Sequence, residues 1–310
     1  MFTGNLDTDI LILSLLDNKA LFNINKVNKY FHSLYHGDKI WQVKLMKEYS
    51  QSEKYRIKSL TFRETYRRFS KIPSEGDKIV TMIKRGYLDV LQWLILEDHL
   101  IINSYPLFIA VDANHPDMLD FIKSIILIDI NDTSYLSHAI NKKKLLSVEW
   151  LINNEFTAKP DSVAIMIREK HIYKQDLTVK LINHLLSLSG SYYHPINHPL
   201  NSFYHLVNHL SEYDIENWFL AAGKFGNLPI FKILFDEVLK IGKLPDSFDN
   251  RNLYPDLPYF SYSIMDDEYL EILKFIHSKN LIIDASILRT FIDSPIENNI
   301  QVYLWLSINL

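Results

Sequence analysis

Between Ile12 and Trp41 the apolar side chains recur three to five residues apart, at Leu13, Leu16, Leu21, Ile24, Val27, Phe31 and Leu34. This spacing predicts a short helical hairpin with its break at Asp17-Asn18, followed by a third turn ending on Trp41. A hairpin so small has more apolar surface than it can bury against itself. It needs a partner surface, in the same chain or in another protein.

From Gly76 onward the pattern becomes periodic. The segments Gly86-YLDVLQWLI, Pro116-DMLDFIKSI, Leu145-LSVEWLI, Gly226-NLPIFKILF, Tyr269-LEILKFIH and Ile300-QVYLWLS align on Trp93, Phe121, Trp150, Ile233, Phe275 and Trp305, with gaps of 28, 29, 83, 42 and 30 residues. Leu181 divides the gap of 83 into 31 and 52, and the 52 leaves room for one more degenerate unit around Phe203–Leu210. Eleven residues before the anchors stand Met82, Ala110, Ala139, Ala222 and Ile264; the rule fails at Lys170 and Ser294. A small or apolar residue on a first helix, a turn, then a second helix with an apolar stripe is what a stacked helix pair needs. The expected fold class is all-α, a helical module over 1–75 followed over 76–310 by an α-solenoid of about 7–8 degenerate helix-turn-helix repeats. Loop insertions are expected near 189–202 and 242–259, where Gly, Pro and Asp gather.

Composition narrows the functional classes. The chain has 310 residues, 8 glycines, no cysteine and a net charge of −4. Few glycines favour helices joined by short turns, and the absence of cysteine excludes disulfides, thiol catalysis and cysteine-ligated zinc and fits a reducing compartment. Asp7 and Asp9 without a basic lead-in predict no secretory signal, and no apolar run reaches the ~18 residues of a membrane span. Residues 1–75 carry +5 and the remainder −9, which places a boundary near Pro73. Neither value points to nucleic acid or a membrane as partner.

Candidate chemistry is sparse. His205 and His209 stand one helical turn apart with His194 and His198 nearby, but Leu206 occupies the place of a glutamate base, so the histidines are read as surface or inter-repeat residues and no metal is expected. Asp246, Asp249 and Asp256 lack the alternate-position spacing of a calcium loop. Lys142-Lys143-Lys144 ends a first helix, where cations are favourable without a ligand. No phosphate-binding glycine loop and no nucleophile elbow occurs, so no catalytic residue and no cofactor are expected, and the chain is read as a non-enzyme. The recurring Trp93, Phe121, Trp150 and Trp305 are read as inter-repeat core.

Two resemblances accompany these patterns. Leu16-Asp17-Asn18-Lys19-Ala20-Leu21, Val27-Asn28-Lys29-Tyr30-Phe31 and Ile40-Trp41 resemble an F-box, and Trp41–Tyr49 and Thr61–Phe69 are similar to the helices that commonly follow one; Leu6-Asp7 stands where the family has Leu-Pro. Ala221–Leu234 and Arg85–Leu91 resemble the central helix pair of an ankyrin repeat, without its Thr-Pro-Leu-His opening. The combined arrangement is similar to that of F-box/ankyrin proteins of large DNA viruses.

The resemblance implies a substrate-recruiting adaptor in the cytoplasm, of the host cell if the protein is viral. Its module would dock on the Skp-type subunit of a cullin–RING ubiquitin ligase, and its repeats would bind a target protein. It implies adaptor-binding residues Leu13, Leu16, Leu21, Val27, Asn28, Lys29, Phe31 and Trp41. The leucines and Lys29 would touch the adaptor, while Val27 and Trp41 largely hold the module together. The alternative is an interaction solenoid whose F-box-like hairpin is only an N-terminal cap. Leu13, Leu16 and Leu21 would then pack on the Met82–Trp93 repeat, whereas docking requires them to be exposed.

Overall fold

The turn between two helices is built in the same way again and again. Gly86, Asn114, Lys143 and Gly226 all adopt the left-handed conformation, with φ of 68°, 60°, 55° and 64°, and each stands seven residues before its anchor. The next residue's N–H closes the turn back onto the first helix, Tyr87 to the Met82 carbonyl, His115 to Ala110, Lys144 to Ala139 and Asn227 to Ala222. This is the six-to-one bond of a Schellman cap, which satisfies carbonyls left open at a helix C-terminus. The four residues whose carbonyls accept in this turn, Met82, Ala110, Ala139 and Ala222, are all fully buried, so the position chosen by the period is where neighbouring helices back onto each other.

The computed structural model describes residues 5–74, 77–190, 210–242, 244, 247–248, 266–283 and 300–309. It is all-helical apart from the strands β1 (Ser247–Phe248) and β2 (Ile282–Ile283), which pair in parallel. No helix among the described residues is long and apolar enough to cross a membrane. His194, His198, His205 and His209, Asp246, Asp249 and Asp256, Ile264, Ser294 and most of the two expected insertions lie outside the described residues.

Two compact units divide at Ile128/Asp129. The first contains α1 (Leu6–Ser14), α2 (Asn18–Ile24), α3 (Lys29–His36), α4 (Asp38–Glu48), a 3-10 turn (Ser52–Tyr55) and α5 (Phe62–Phe69), then the pairs α6 (Lys78–Arg85) with α7 (Leu88–Leu96) and α8 (Tyr105–Ala113) with α9 (Pro116–Ile125). Within it α6 packs on α8 and α7 on α9. The compositional break near Pro73 is thus followed by helices belonging to the same compact unit as the module. Trp41, expected to end a third turn, lies inside α4.

The second unit contains α10 (Thr133–Asn141), α11 (Leu145–Asn153), α12 (Pro160–Arg168), α13 (Gln175–Gly190), α14 (Glu212–Lys224), α15 (Leu228–Lys240), α16 (Asp266–Ser278) and α17 (Ile300–Asn309). Here α10 packs on α12, α12 on α14, α11 on α13, α15 on α16 and α16 on α17. Here α12 rests directly on α14, and the room counted around Phe203–Leu210 lies, but for Leu210, outside the described residues. The rule that fails at Lys170 fails for a local reason. The connection from α12 to α13 runs over 169–174, longer than the two-residue turn at Gly86-Tyr87, so the buried partner slides back to Met166 and Ile167.

The anchors themselves need a correction. Trp150 and Leu181 are buried, but Trp93, Phe121, Ile233, Phe275 and Trp305 are half-buried. The centre of each layer is instead made by residues three before and one after the anchor: Val90 and Leu94, Met118 and Ile122, Ile230 and Leu234, Ile272 and Ile276, Val302 and Leu306. Where helices approach within 8–10 Å the centre of the contact favours aliphatic side chains, and Trp93, Phe121, Phe275 and Trp305 sit at the rim and reach across to their neighbours. Phe275, for example, meets Phe235 edge-on at 5.3 Å.

Candidate functional site: the N-terminal helices

Each of the first three helices opens on a side-chain cap. Asn5 accepts from the N–H groups of Asp7 and Thr8, Asp17 from Ala20, and Asn28 from Phe31. These caps fix the helix starts and hence which side of each short helix meets the module's core. In α1 that side is Ile10 and Leu13, three residues apart and packed toward α4. Leu11 and Leu15, four residues apart, fall on the other side and are 56% and 60% exposed. In α2 Leu21 is the buried residue and Phe22 points outward; before α3 Val27 is 67% exposed.

The expected adaptor contacts therefore divide differently from expectation. Leu13 is 1% exposed and Leu21 0%, so neither offers a contact surface, and Trp41 is also core. Leu16 is half-buried and its carbonyl is bound by Lys44. Val27, expected to hold the module together, is one of its most exposed apolar residues, and Lys29 is exposed beside it. Asn28 is exposed but its side chain is occupied as a cap; Phe31 is half-buried, with its ring 5.4 Å from Tyr30. Leu11, Leu15, Phe22 and Tyr30 were not singled out by their spacing. A signal existed: the run Ile10-Leu11-Ile12-Leu13, followed by Leu15-Leu16, puts apolar side chains on opposite sides of the end of α1, and a surface helix can bury only one.

Beneath this surface a polar network holds the α1–α2 turn. Lys44, almost fully buried, donates its ammonium to the Leu16 carbonyl at 2.7 Å and pairs with Glu48 at 2.5 Å. Tyr66 from α5 donates to the other Glu48 oxygen at 2.8 Å and lies 3.1 Å from the Asn18 side-chain oxygen. Burial, reinforced by the Glu48 carboxylate, pushes the Tyr66 phenol well above its ordinary value. On the α3 side Tyr30 donates to the buried Asp9 carboxylate at 2.8 Å, and that bond raises the Tyr30 pKa.

The module meets the first helix pair through other elements. Trp41 packs on Tyr66 at 5.3 Å, Tyr66 on Tyr49 at 6.3 Å, and Tyr49 and Phe69 each stand 5.7 Å from Trp93. Tyr55 donates to Glu97 at 2.7 Å and Arg68 pairs with the buried Asp89 at 3.1 Å. Thus α4, α5 and the 3-10 turn reach α7, whereas Leu13 and Leu21 are buried within the module. Neither of the two arrangements expected for those leucines is found.

No family model matches the chain, and no curated protein or solved structure matches it either.

Proposed function

We propose that the chain is a non-enzymatic recruiting protein. Residues 1–75 would act as an F-box-like module that docks on a Skp-type adaptor of a cullin–RING ubiquitin ligase. The helix pairs beyond would be divergent ankyrin-like repeats that hold a target protein. The observation that carries this reading is the outward apolar set Leu11, Leu15, Phe22 and Val27 on α1–α3, with the module's contact to the first helix pair made elsewhere, by Tyr49, Phe69 and Arg68. An apolar surface carried by the elements that resemble an adaptor-docking motif is the expected form of a protein-binding site. Left-handed turns four residues after the buried Met82, Ala110, Ala139 and Ala222 support the repeat reading. The mechanism is one of effective concentration: tethering raises the local concentration of a target lysine at the ligase without chemistry by this chain.

The test is binding of the full chain to purified Skp-type adaptor, compared with Leu11→Asp/Leu15→Asp. Both positions are exposed, so the double variant keeps its fold while losing at least ~tenfold in affinity. An adaptor that ignores the parent chain at tens of micromolar sinks the reading.

A second reading, a plain interaction solenoid capped by these helices, draws on the Tyr49–Phe69–Trp93 ring cluster, since helical arrays need their first layer shielded. It predicts the same stability and no adaptor binding.

A further inference from the structure

The positive charge of the N-terminal third converges at one place. The last turn of α5 carries Arg67 and Arg68, the last turn of α6 carries Lys84 and Arg85, and Lys71 follows α5. Two of them meet at Tyr87: the Arg68 guanidinium lies 4.9 Å and the Lys71 ammonium 5.7 Å from its ring centre, and Lys71 donates to its hydroxyl at 3.1 Å. Arg85 donates to the Lys71 carbonyl at 2.6 Å. Arg68 is neutralised by Asp89. Arg67, Lys71, Lys84 and Arg85 have no carboxylate within ion-pair distance among the described residues, whereas Lys39, Lys54, Lys143 and Lys174 each have one.

Helix ends explain part of this, since each C-terminus carries about half a negative charge. Two ends, Asp89 and the nearby Glu64 still leave the five cations with an excess of roughly +2. The groups that hold Lys71 and Arg85 in place are a phenol hydroxyl and a backbone carbonyl, which orient the cations without quenching them. A chain with more carboxylates than cations, 37 against 33, thus keeps a group of cations oriented and uncompensated.

We propose that this surface binds an acidic segment of a partner protein, two or more carboxylates laid across Lys71, Lys84 and Arg85 beside Tyr87. The charge distribution selects a short acidic peptide over a long polyanion or an anionic bilayer, because residues 76–128 of the same compact unit hold 7 carboxylates against 4 cations, two of which are Lys84 and Arg85 of the patch itself, and disfavour an anion that extends beyond it. The inference does not depend on adaptor docking, which uses α1–α3.

The experiment is fluorescence anisotropy of a labelled eight-glutamate peptide against the full chain. Binding weakens as salt rises, and Lys71→Gln/Lys84→Gln/Arg85→Gln loses about tenfold in affinity with an unchanged circular dichroism spectrum. Lys26→Gln/Lys29→Gln, which alters the docking face, leaves it unchanged. If the triple variant does not fold, Lys84→Gln alone, which breaks no hydrogen bond among the described residues, must still weaken binding. Equal affinity of parent and variant, or no binding at low salt, overturns the proposal. Tighter binding of a short RNA strand or of phosphatidylserine vesicles with the same loss in the variant overturns the assignment to a peptide.

Discussion

Trp93 donates its indole N–H to the carbonyl of Ser50 at 2.7 Å. That bond joins the second helix of the first repeat-like pair to the chain just beyond α4, and the Tyr49 and Phe69 rings close around the same indole. The module and the first pair therefore share one core, which the half-buried Trp93 closes at its rim, and they unfold together.

Replacing Trp93 by alanine removes the ring from two helices at once and lowers stability by about 2–4 kcal/mol. Trp93→Phe keeps the packing, loses the bond and costs about 1 kcal/mol. Urea unfolding followed by far-ultraviolet circular dichroism reads both, and a Trp93→Ala midpoint equal to that of the parent denies the shared core.

The Lys44 network predicts a different signature. Lys44→Met leaves the half-buried Leu16 carbonyl without its donor and removes the ammonium paired with the exposed Glu48 carboxylate, a loss of about 1–2 kcal/mol. Tyr66→Phe removes one bond and costs about 1 kcal/mol. Because both groups act on Glu48, their effects in the double variant are not additive; strict additivity in a double-mutant cycle would separate them.

Turn positions give opposite signs for opposite exchanges. Gly86 sits at φ +68° with the His115 ring 3.1 Å from where a Cβ would stand, so Gly86→Ala destabilises by about 1–2 kcal/mol. Glu155 is exposed at φ 64°, and Glu155→Gly relieves strain worth up to about 1 kcal/mol. Thermal midpoints moving in the same direction for both contradict the assigned conformations.

High pH tests the interior of the second unit. Tyr173 donates to the Ile140 carbonyl at 2.7 Å, and burial raises its pKa to about 12. A folded value above the unfolded one of about 10 means that its stabilisation is complete below pH ~10 and disappears as pH climbs through the folded value. Tyr173→Phe flattens that alkaline limb in urea midpoints measured between those limits. A limb unchanged by the substitution would falsify the role.

Low pH reports on α5. The Thr61 backbone N–H and hydroxyl hold the Glu64 carboxyl below the usual carboxylate range. A depressed folded value gives stabilisation that is present above the unfolded value and is lost as pH falls through the folded one. Thr61→Ala should shrink that acid loss, read as helicity against pH.

What could be read from the residues alone, and what could not, follows from the range of the interactions involved. Met82, Ala110, Ala139 and Ala222 were legible because turn, small residue and stripe lie within one helix pair, a local relation that repeats. The outward face of α1 was not: Leu11 and Leu13 are the same residue type two positions apart, and only the placement of α4, some thirty residues on, decides which is core. The anchor rings were read as inter-repeat core because they recur at the repeat period; Trp150 is buried, but in the first pair Val90 and Leu94 hold the centre and Trp93 the rim. Lys71 and Arg85 are visible as charges, yet their meeting depends on the fold between them.

The left-handed residue of each turn is Gly at 86 and 226, Asn at 114 and Lys at 143. Glycine is the easiest occupant and lysine costs roughly 1 kcal/mol more, a penalty one well-packed layer can absorb. Drift at these positions is therefore slow to break the backbone and quick to erase its written signature. One turn geometry is thus held by three different residue types, and the backbone repeats where the letters do not.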